Sequence, residues 1–227
     1  MSIEQNLNEV RERIRAACAR AGRDPKEVTL ISVSKTKPVS MLMEAYDAGA
    51  RDFGENKVQE ILEKVPQMPG DCRFHMIGHL QTNKVRQVLG KAVMIHSVDS
   101  VHLAQAIEKE AEKRSMTADI LLEVNAAREE SKFGLFLEDV LPALEEIRKF
   151  PHIRVKGLMT IAPNVENAEE NRKYFHELYQ LSVDIKSKNI DNVTMSELSM
   201  GMTGDYEVAV EEGATLIRVG TGIFGSR

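Results

Sequence analysis

The residues best able to do chemistry stand at the ends of apolar runs. "VTLISVS", residues 28–34, is apolar or β-branched at most positions and reads as a buried strand, yet it runs into Lys35-Thr36-Lys37-Pro38. Strand alternation puts Thr29, Ile31, Val33 and Lys35 on one face. A lysine held against apolar walls gives up its charge readily, and its neutral amine can form an imine with an aldehyde. The plainer alternative is a lysine snorkelling to solvent. Lys37 shares the parity but lies in a pre-proline segment already leaving the strand, so Lys35 is the better choice. In "TLIRVG" Arg218 alternates with Leu216 and should also face inward. A buried arginine needs a core carboxylate or an acceptor on a ligand. The glycines of "SMGMTGD" and "GTG" either expose amides that cradle a phosphate or only make tight turns.

These groups meet only if the strands that carry them converge. Strands are expected at about 28–34, 51–53, 73–77, 93–97, 118–125, 153–159, 193–198 and 216–219. Helical periodicity falls at about 39–48, 56–65, 81–90, 100–115, 137–149, 167–188 and 204–212. Eight strands alternating with helices predict a single-domain α/β fold spanning 1–227, a (β/α)8 TIM-type barrel. An open doubly wound sheet fits less well, because the first turn lacks a GxGxxG fingerprint. The last strand leaves no room for an eighth helix after it. An extra amphipathic N-terminal helix, with Ile3, Leu7, Val10, Ile14 and Ala17 on one face, is expected to cover that position.

In such a barrel the active site forms where strands run into the following helices, often with phosphate held by the loops after strands seven and eight. Lys35, Asn56, His79, Asn125, Lys132 and Arg218 all fall at those junctions. Composition narrows the partners. Acidic and basic residues, 35 and 30 of them, are mixed along the chain, so neither nucleic acid nor membrane is expected. Cys18 and Cys72 form no CxxC, and the N-terminus has no secretory signal pattern, which suggests a reduced cytoplasmic setting. The six histidines show no HxH or HExxH spacing, so no metal is expected.

An imine lysine, phosphate loops and an arginine facing a ring nitrogen together describe a pyridoxal 5′-phosphate (PLP) site. The motifs "VSKTKP", "FGENKVQE", "HMIGHLQTNK", "SVDS", "SKFGL", "GLMTIAP", "LSMGMTGD" and "IRVGTGIFG" follow in order. Through them the chain, from about residue 5 onward, resembles the pyridoxal phosphate homeostasis proteins, which are related in fold to the N-terminal barrel of alanine racemase. The resemblance implies the imine at Lys35, phosphate contacts at Ser199, Met200, Gly220 and Thr221, and Arg218 facing the pyridine nitrogen. It also implies that Asn56 and His79 line the cofactor. Phe74, Thr203 and Gly222 depart from the family's usual Trp, Ser and Ala.

An always-cationic Arg218 would disfavour a protonated pyridine and leave PLP a weak electron sink. Racemase chemistry also needs a second acid or base opposite the lysine, which the resembled racemases take from a separate domain. Tyr46, Tyr174, Tyr179 and Tyr206 all fall in expected helices. The expected function is therefore non-catalytic: a PLP carrier or regulator in PLP homeostasis, holding the cofactor as a lysine aldimine and affecting amino-acid and keto-acid balance. PLP-dependent apoenzymes are the expected partners, and a monomer is expected. The alternative is a weak amino-acid racemase or another small PLP enzyme.

Overall fold

The structure, a computed structural model, describes residues 2–225. Eight parallel strands close into one barrel in sequence order. They are β1 Thr29–Val33, β2 Asp52–Glu55, β3 Arg73–Met76, β4 Ala92–Val98, β5 Ala118–Glu123, β6 Ile153–Met159, β7 Val193–Ser199 and β8 Leu216–Val219. Closure comes from β1 pairing with β8, which sets Ile31 opposite Arg218. Further round, Glu123 pairs with Met159 and Met159 with Ser199, a row at the C-terminal ends of three strands.

The helices are α1 Ile3–Ala21, α2 Val39–Asp47, α3 Val58–Lys64, α4 Val85–Val88, α5 Val101–Lys113, α6 Leu137–Ile147, α7 Arg172–Ser187, α8 Tyr206–Glu211 and α9 Thr221–Phe224. Ser2 caps α1 by accepting the Gln5 N–H, and Gly22 ends it in the left-handed region at φ 66°. The buried face Ile3, Leu7, Val10, Ile14 and Ala17 lays α1 against α2, α8 and α9. It thus covers the seam between the last strand and the first, as its periodicity predicts. The expectation of no helix after the last strand is corrected: one turn, α9, fits there, and its last carbonyls are held by Lys37 Nζ. The stretch 81–90, expected as one helix, splits into a 3-10 turn and the short α4.

Most of the core lies between the barrel and its helices, around Leu42, Phe53, Ile107, Leu122, Leu144, Phe175 and Ile217. Inside the barrel the apolar layer is thin: Ile31, Leu121, Met159 and Leu216, with Met94 and Ile161 against them. Barrel interiors are usually filled by bulky branched residues. Here Asp52, His75, His96, Glu123, Ser199 and Arg218 are buried instead. Among the described residues no helix is long and apolar enough to cross a membrane.

Candidate functional site

Lys35 sits in the turn after β1, half-buried, and its neighbours on both sides are pinned. The Ser34 carbonyl accepts from Lys37 N at 3.0 Å and from the buried Lys64 Nζ at 2.8 Å. Lys64 Nζ also donates to Glu55 Oε1 at 2.8 Å and Glu60 Oε2 at 2.6 Å, and Ser34 Oγ donates to Glu55 Oε1 at 2.6 Å. Burial pushes the Glu55 carboxyl up to about 7, against the pull of Lys64 and Ser34. On the other side Thr36 is held at φ 63°, a strained conformation for a β-branched residue, with its N–H on Glu60 Oε2 at 2.7 Å. A buried ionic network thus fixes the backbone around one lysine.

Of Lys35, Lys37 and Lys132, Lys35 alone has an amine without a hydrogen bond or ion pair among the described residues. Lys37 Nζ is engaged by the Phe224 and Gly225 carbonyls, and Lys132 Nζ by Glu129 Oε1 at 2.6 Å and Ala162 O at 3.3 Å. Lys35 Nζ has neither a hydrogen bond nor an ion pair among the described residues.

Arg218 is 4% exposed and projects inward on the parity its alternation with Leu216 predicts. Its Nη1 donates to Ser199 Oγ at 2.6 Å and its Nη2 to the Thr160 carbonyl at 2.8 Å. Neither partner is a carboxylate, so burial pushes the guanidinium down to about 10, while Glu123 and Asp205 act only as more distant charges. Glu123 was not singled out by the motifs. It stands two residues beyond the interior Leu121, so it faces the same lumen. Burial, reinforced by Asp99, pushes its carboxyl up to about 7 despite Arg218.

A carboxyl raised in the fold stabilises it fully below the unfolded value near 4.5, and that contribution is lost as pH rises through about 7. Glu123→Gln should therefore flatten the fall in unfolding free energy between about pH 5 and about pH 8, raising stability at the upper end by up to ~3 kcal/mol. Denaturant titrations at several pH values check this, and an unchanged slope would show that Glu123 is already ionised in the fold.

The loops after β7 and β8 bring small donors together. Thr203 Oγ1 lies 3.4 Å from the amides of both Gly220 and Gly222 and 3.2 Å from Thr221 Oγ1. Asp205 shapes the first loop, accepting Met202 N at 2.7 Å and Asn171 Nδ2 at 2.8 Å. Gly201 has to be glycine there: its φ is +91°, and a Cβ would meet Ala209 Cβ at 2.6 Å. Asn56 is brought against the loop after β3, where a Cβ on Gly78 would meet Asn56 O at 2.4 Å. Its Oδ1 is buried and meets no hydrogen-bond donor among the described residues.

His79 sits on the exposed rim, its Nδ1 3.2 Å from Asp99 Oδ2 and its ring stacked on Phe133 at 3.8 Å. Met200 is not brought to the mouth: its side chain packs in the layer between barrel and helices, and its amide donates to Leu216 O. The histidines that do enter the lumen are His75 and His96, which no motif reading selected. The signal was available in β3 and β4, where both share the parity of inward positions. All four tyrosines lie in helices, Tyr46 in α2, Tyr174 and Tyr179 in α7, and Tyr206 in α8.

Residues 5–227 match the family model described as the alanine racemase N-terminal domain. Over 228 residues the chain is 44% identical to a pyridoxal phosphate homeostasis protein of Aquifex aeolicus, covering 100% of this chain and 99% of that one. This chain belongs to the pyridoxal phosphate homeostasis protein family. A second relative so named, from Pseudomonas aeruginosa, is 41% identical and is covered over 96% of its length by all of this chain. Among solved structures, PipY of Synechococcus elongatus with PLP bound superposes with a TM-score of 0.85 at 33% identity, over 99% of this chain and 100% of PipY. Alanine racemase of Clostridium difficile, 13% identical, shares the fold alone with a TM-score of 0.76, this chain covering 60% of it.

The departures of this pyridoxal phosphate homeostasis family member have local explanations. Phe74 stacks on Phe53 with centroids 5.6 Å apart, in the layer between barrel and helices and away from the lumen. Thr203 and Gly222 belong together. A Cβ on Gly222 would lie 3.2 Å from the Thr203 Cγ2 methyl, which serine would lack. The methyl gained at one position fills space where the other has lost one.

Proposed function

We infer that this chain binds pyridoxal 5′-phosphate at the C-terminal mouth of its barrel and holds, buffers or delivers it without catalysing a reaction on it. The observation that carries this reading is a pair of unspent donors. Lys35 Nζ has no partner among the described residues, and the buried guanidinium of Arg218 meets only a hydroxyl and a carbonyl. Five N–H donors on an arginine leave capacity for a ligand acceptor. PLP supplies an aldehyde and an electron-accepting ring. Lys35 Nζ would condense with that aldehyde, losing water, to hold the cofactor as an imine. Arg218 would donate to the ring nitrogen and keep it unprotonated. The Gly220 and Gly222 amides with the Thr203 and Thr221 hydroxyls would hold the phosphate, while Asn56 and His79 would line the ring's edge. Ser199 would act by steadying Arg218, since its hydroxyl already meets that guanidinium and His96.

The chain would act in a reduced cytoplasm, affecting amino-acid and keto-acid balance by passing PLP to apoenzymes. Glu123 favours a second reading. A lumen-facing carboxyl raised to about 7 could trade protons with a substrate, as a weak racemase would need. Deuterium incorporation at Cα decides between the two, measured over a panel of L- and D-amino acids in D₂O. The carrier reading expects rates no higher than those of free PLP, together with transfer of the cofactor to an added apoenzyme. A positioned acid or base contributes roughly 10²–10⁴-fold. Exchange above free PLP by such a factor, abolished by Lys35→Ala and by Glu123→Gln, would make this a small PLP enzyme.

A further inference from the structure

Beneath Arg218 a continuous chain of buried hydrogen bonds crosses the barrel. Arg73 Nε donates to Asp52 Oδ1 at 2.7 Å on the N-terminal side of β2 and β3. The same Asp52 oxygen meets His75 Nε2 at 3.0 Å, His75 Nδ1 meets His96 Nε2 at 3.0 Å, and His96 Nδ1 meets Ser199 Oγ at 2.8 Å. Arg218 Nη1 closes the chain on Ser199 Oγ at 2.6 Å. Asp52, His75, His96, Ser199 and Arg218 are all buried.

The ends fix the proton positions between them. Burial alone would raise the Asp52 carboxyl, but hydrogen bonds from His75 and Arg73 hold it below the usual carboxylate range. As a carboxylate it only accepts, so His75 Nε2 carries a hydrogen. Arginine only donates, so Ser199 Oγ accepts from it. With both rings neutral each assignment forces the next. His75 Nδ1 accepts, His96 Nε2 carries the hydrogen, His96 Nδ1 accepts, and the Ser199 hydroxyl donates to it.

One added proton reverses this pattern. If Ser199 Oγ takes a proton from the mouth, its original hydrogen passes to His96 Nδ1, and the His96 Nε2 hydrogen passes to His75 Nδ1. The charge then rests on His75 beside Asp52, while His96 stays neutral with its tautomer reversed. Ser199 Oγ now accepts from both Arg218 and His96, and its own hydrogen turns toward the lumen. His96 is a poor place for the charge, because burial, then His75 and Arg218, push it well below the ordinary histidine range. The charged or titratable groups around the chain are Arg73 and Asp52 at one end and Arg218 at the other, with Glu123 of β5 and Asp205 of the loop after β7 acting on Arg218 and Asp99 acting on Glu123.

We propose that Asp52, His75 and His96 are positioning residues that form a proton relay, coupling the binding of an acceptor atom over Arg218 to uptake of one proton by His75. The acceptor is an aromatic ring nitrogen, which competes with His96 for the Ser199 hydrogen. This coupling rests on the reading that PLP sits over Arg218; the relay itself does not.

Ring-nitrogen NMR of the ¹⁵N-labelled whole chain tests both. In the free protein near neutral pH both histidines should carry their hydrogen on Nε2. On acidification, His75 should gain its Nδ1 hydrogen in the same transition that moves the His96 hydrogen from Nε2 to Nδ1. A His96 that keeps its Nε2 hydrogen through that transition, or becomes doubly protonated in it, overturns the relay. Asp52→Asn removes the carboxylate that the His75 charge rests beside, so it should suppress the coupled transition, and an unaltered transition removes Asp52 from the chain. Addition of PLP should move the wild-type midpoint upward, with uptake of about one extra proton by calorimetry in buffers of differing ionisation heat. Pyridoxine 5′-phosphate, which has no aldehyde, should do the same, so the shift does not depend on Lys35. PLP bound by absorbance with the midpoint unmoved overturns the coupling. Failure of PLP to bind refutes the proposed function and the coupling with it, while the free-chain titration still decides the relay.

Discussion

Lys35→Ala should lose PLP during gel filtration and show no long-wavelength imine absorbance, with affinity at least ~100-fold weaker, about 3 kcal/mol. The size of the effect follows from what remains. The phosphate donors around Thr203 and the Arg218 guanidinium still offer hydrogen bonds, each worth about 1–3 kcal/mol when charge-assisted, but neither of the two other lysines considered for the imine can replace the lost bond without breaking its own contacts. Lys37 is committed to the carbonyls that end α9, and Lys132 to Glu129. The fold should survive, because Lys35 makes no hydrogen bond or ion pair among the described residues and the turn around it is held by Ser34, Thr36 and Lys64. Unchanged retention and spectrum would move the imine elsewhere.

Arg218→Met should weaken PLP binding about 10–100-fold and shift the bound cofactor's spectrum toward a protonated ring. Methionine keeps an unbranched side chain in the lumen while removing the cation and its donors. The Thr160 carbonyl and the Ser199 hydroxyl each lose a partner, so a cost of ~1–3 kcal/mol in stability is expected as well. Glu123 reports on the same change. It loses the one attraction that opposes burial and Asp99, so its carboxyl should titrate higher still. Denaturant titration separates the two effects: a variant as stable as the wild type that binds PLP equally well would mean that Arg218 does not face the ring.

What could be read ahead of the structure follows from how local each signal is. Strand alternation is strictly period two, so Arg218 could be aimed inward from its own neighbours, whereas Lys35 lies in the turn past Val33, where β1 has ended. The α1 stripe Leu7, Val10, Ile14 and Ala17 is equally local, and α1 lies where its stripe requires. The inward parity of His75 and His96 was just as local, but their pairing was not. Their partners Asp52 and Ser199 are supplied by barrel register across strands far apart in sequence, which no single segment encodes. Glu123 hid inside a run of apolar residues that reads simply as a buried strand. Asn56 and Gly78 meet only because the β2 and β3 loops are neighbours at the mouth. His79 fits its motif, but β3 ends at Met76, and beyond a strand end parity no longer fixes direction.

Reduction of the PLP-loaded protein with borohydride, followed by peptide mass mapping, tests the central claim most directly. The expected result is a single pyridoxyl group on Lys35, the one lysine among the three considered whose amine has no partner in the described residues. A pyridoxyl group on Lys37 or Lys132 with Lys35 unmodified would contradict it.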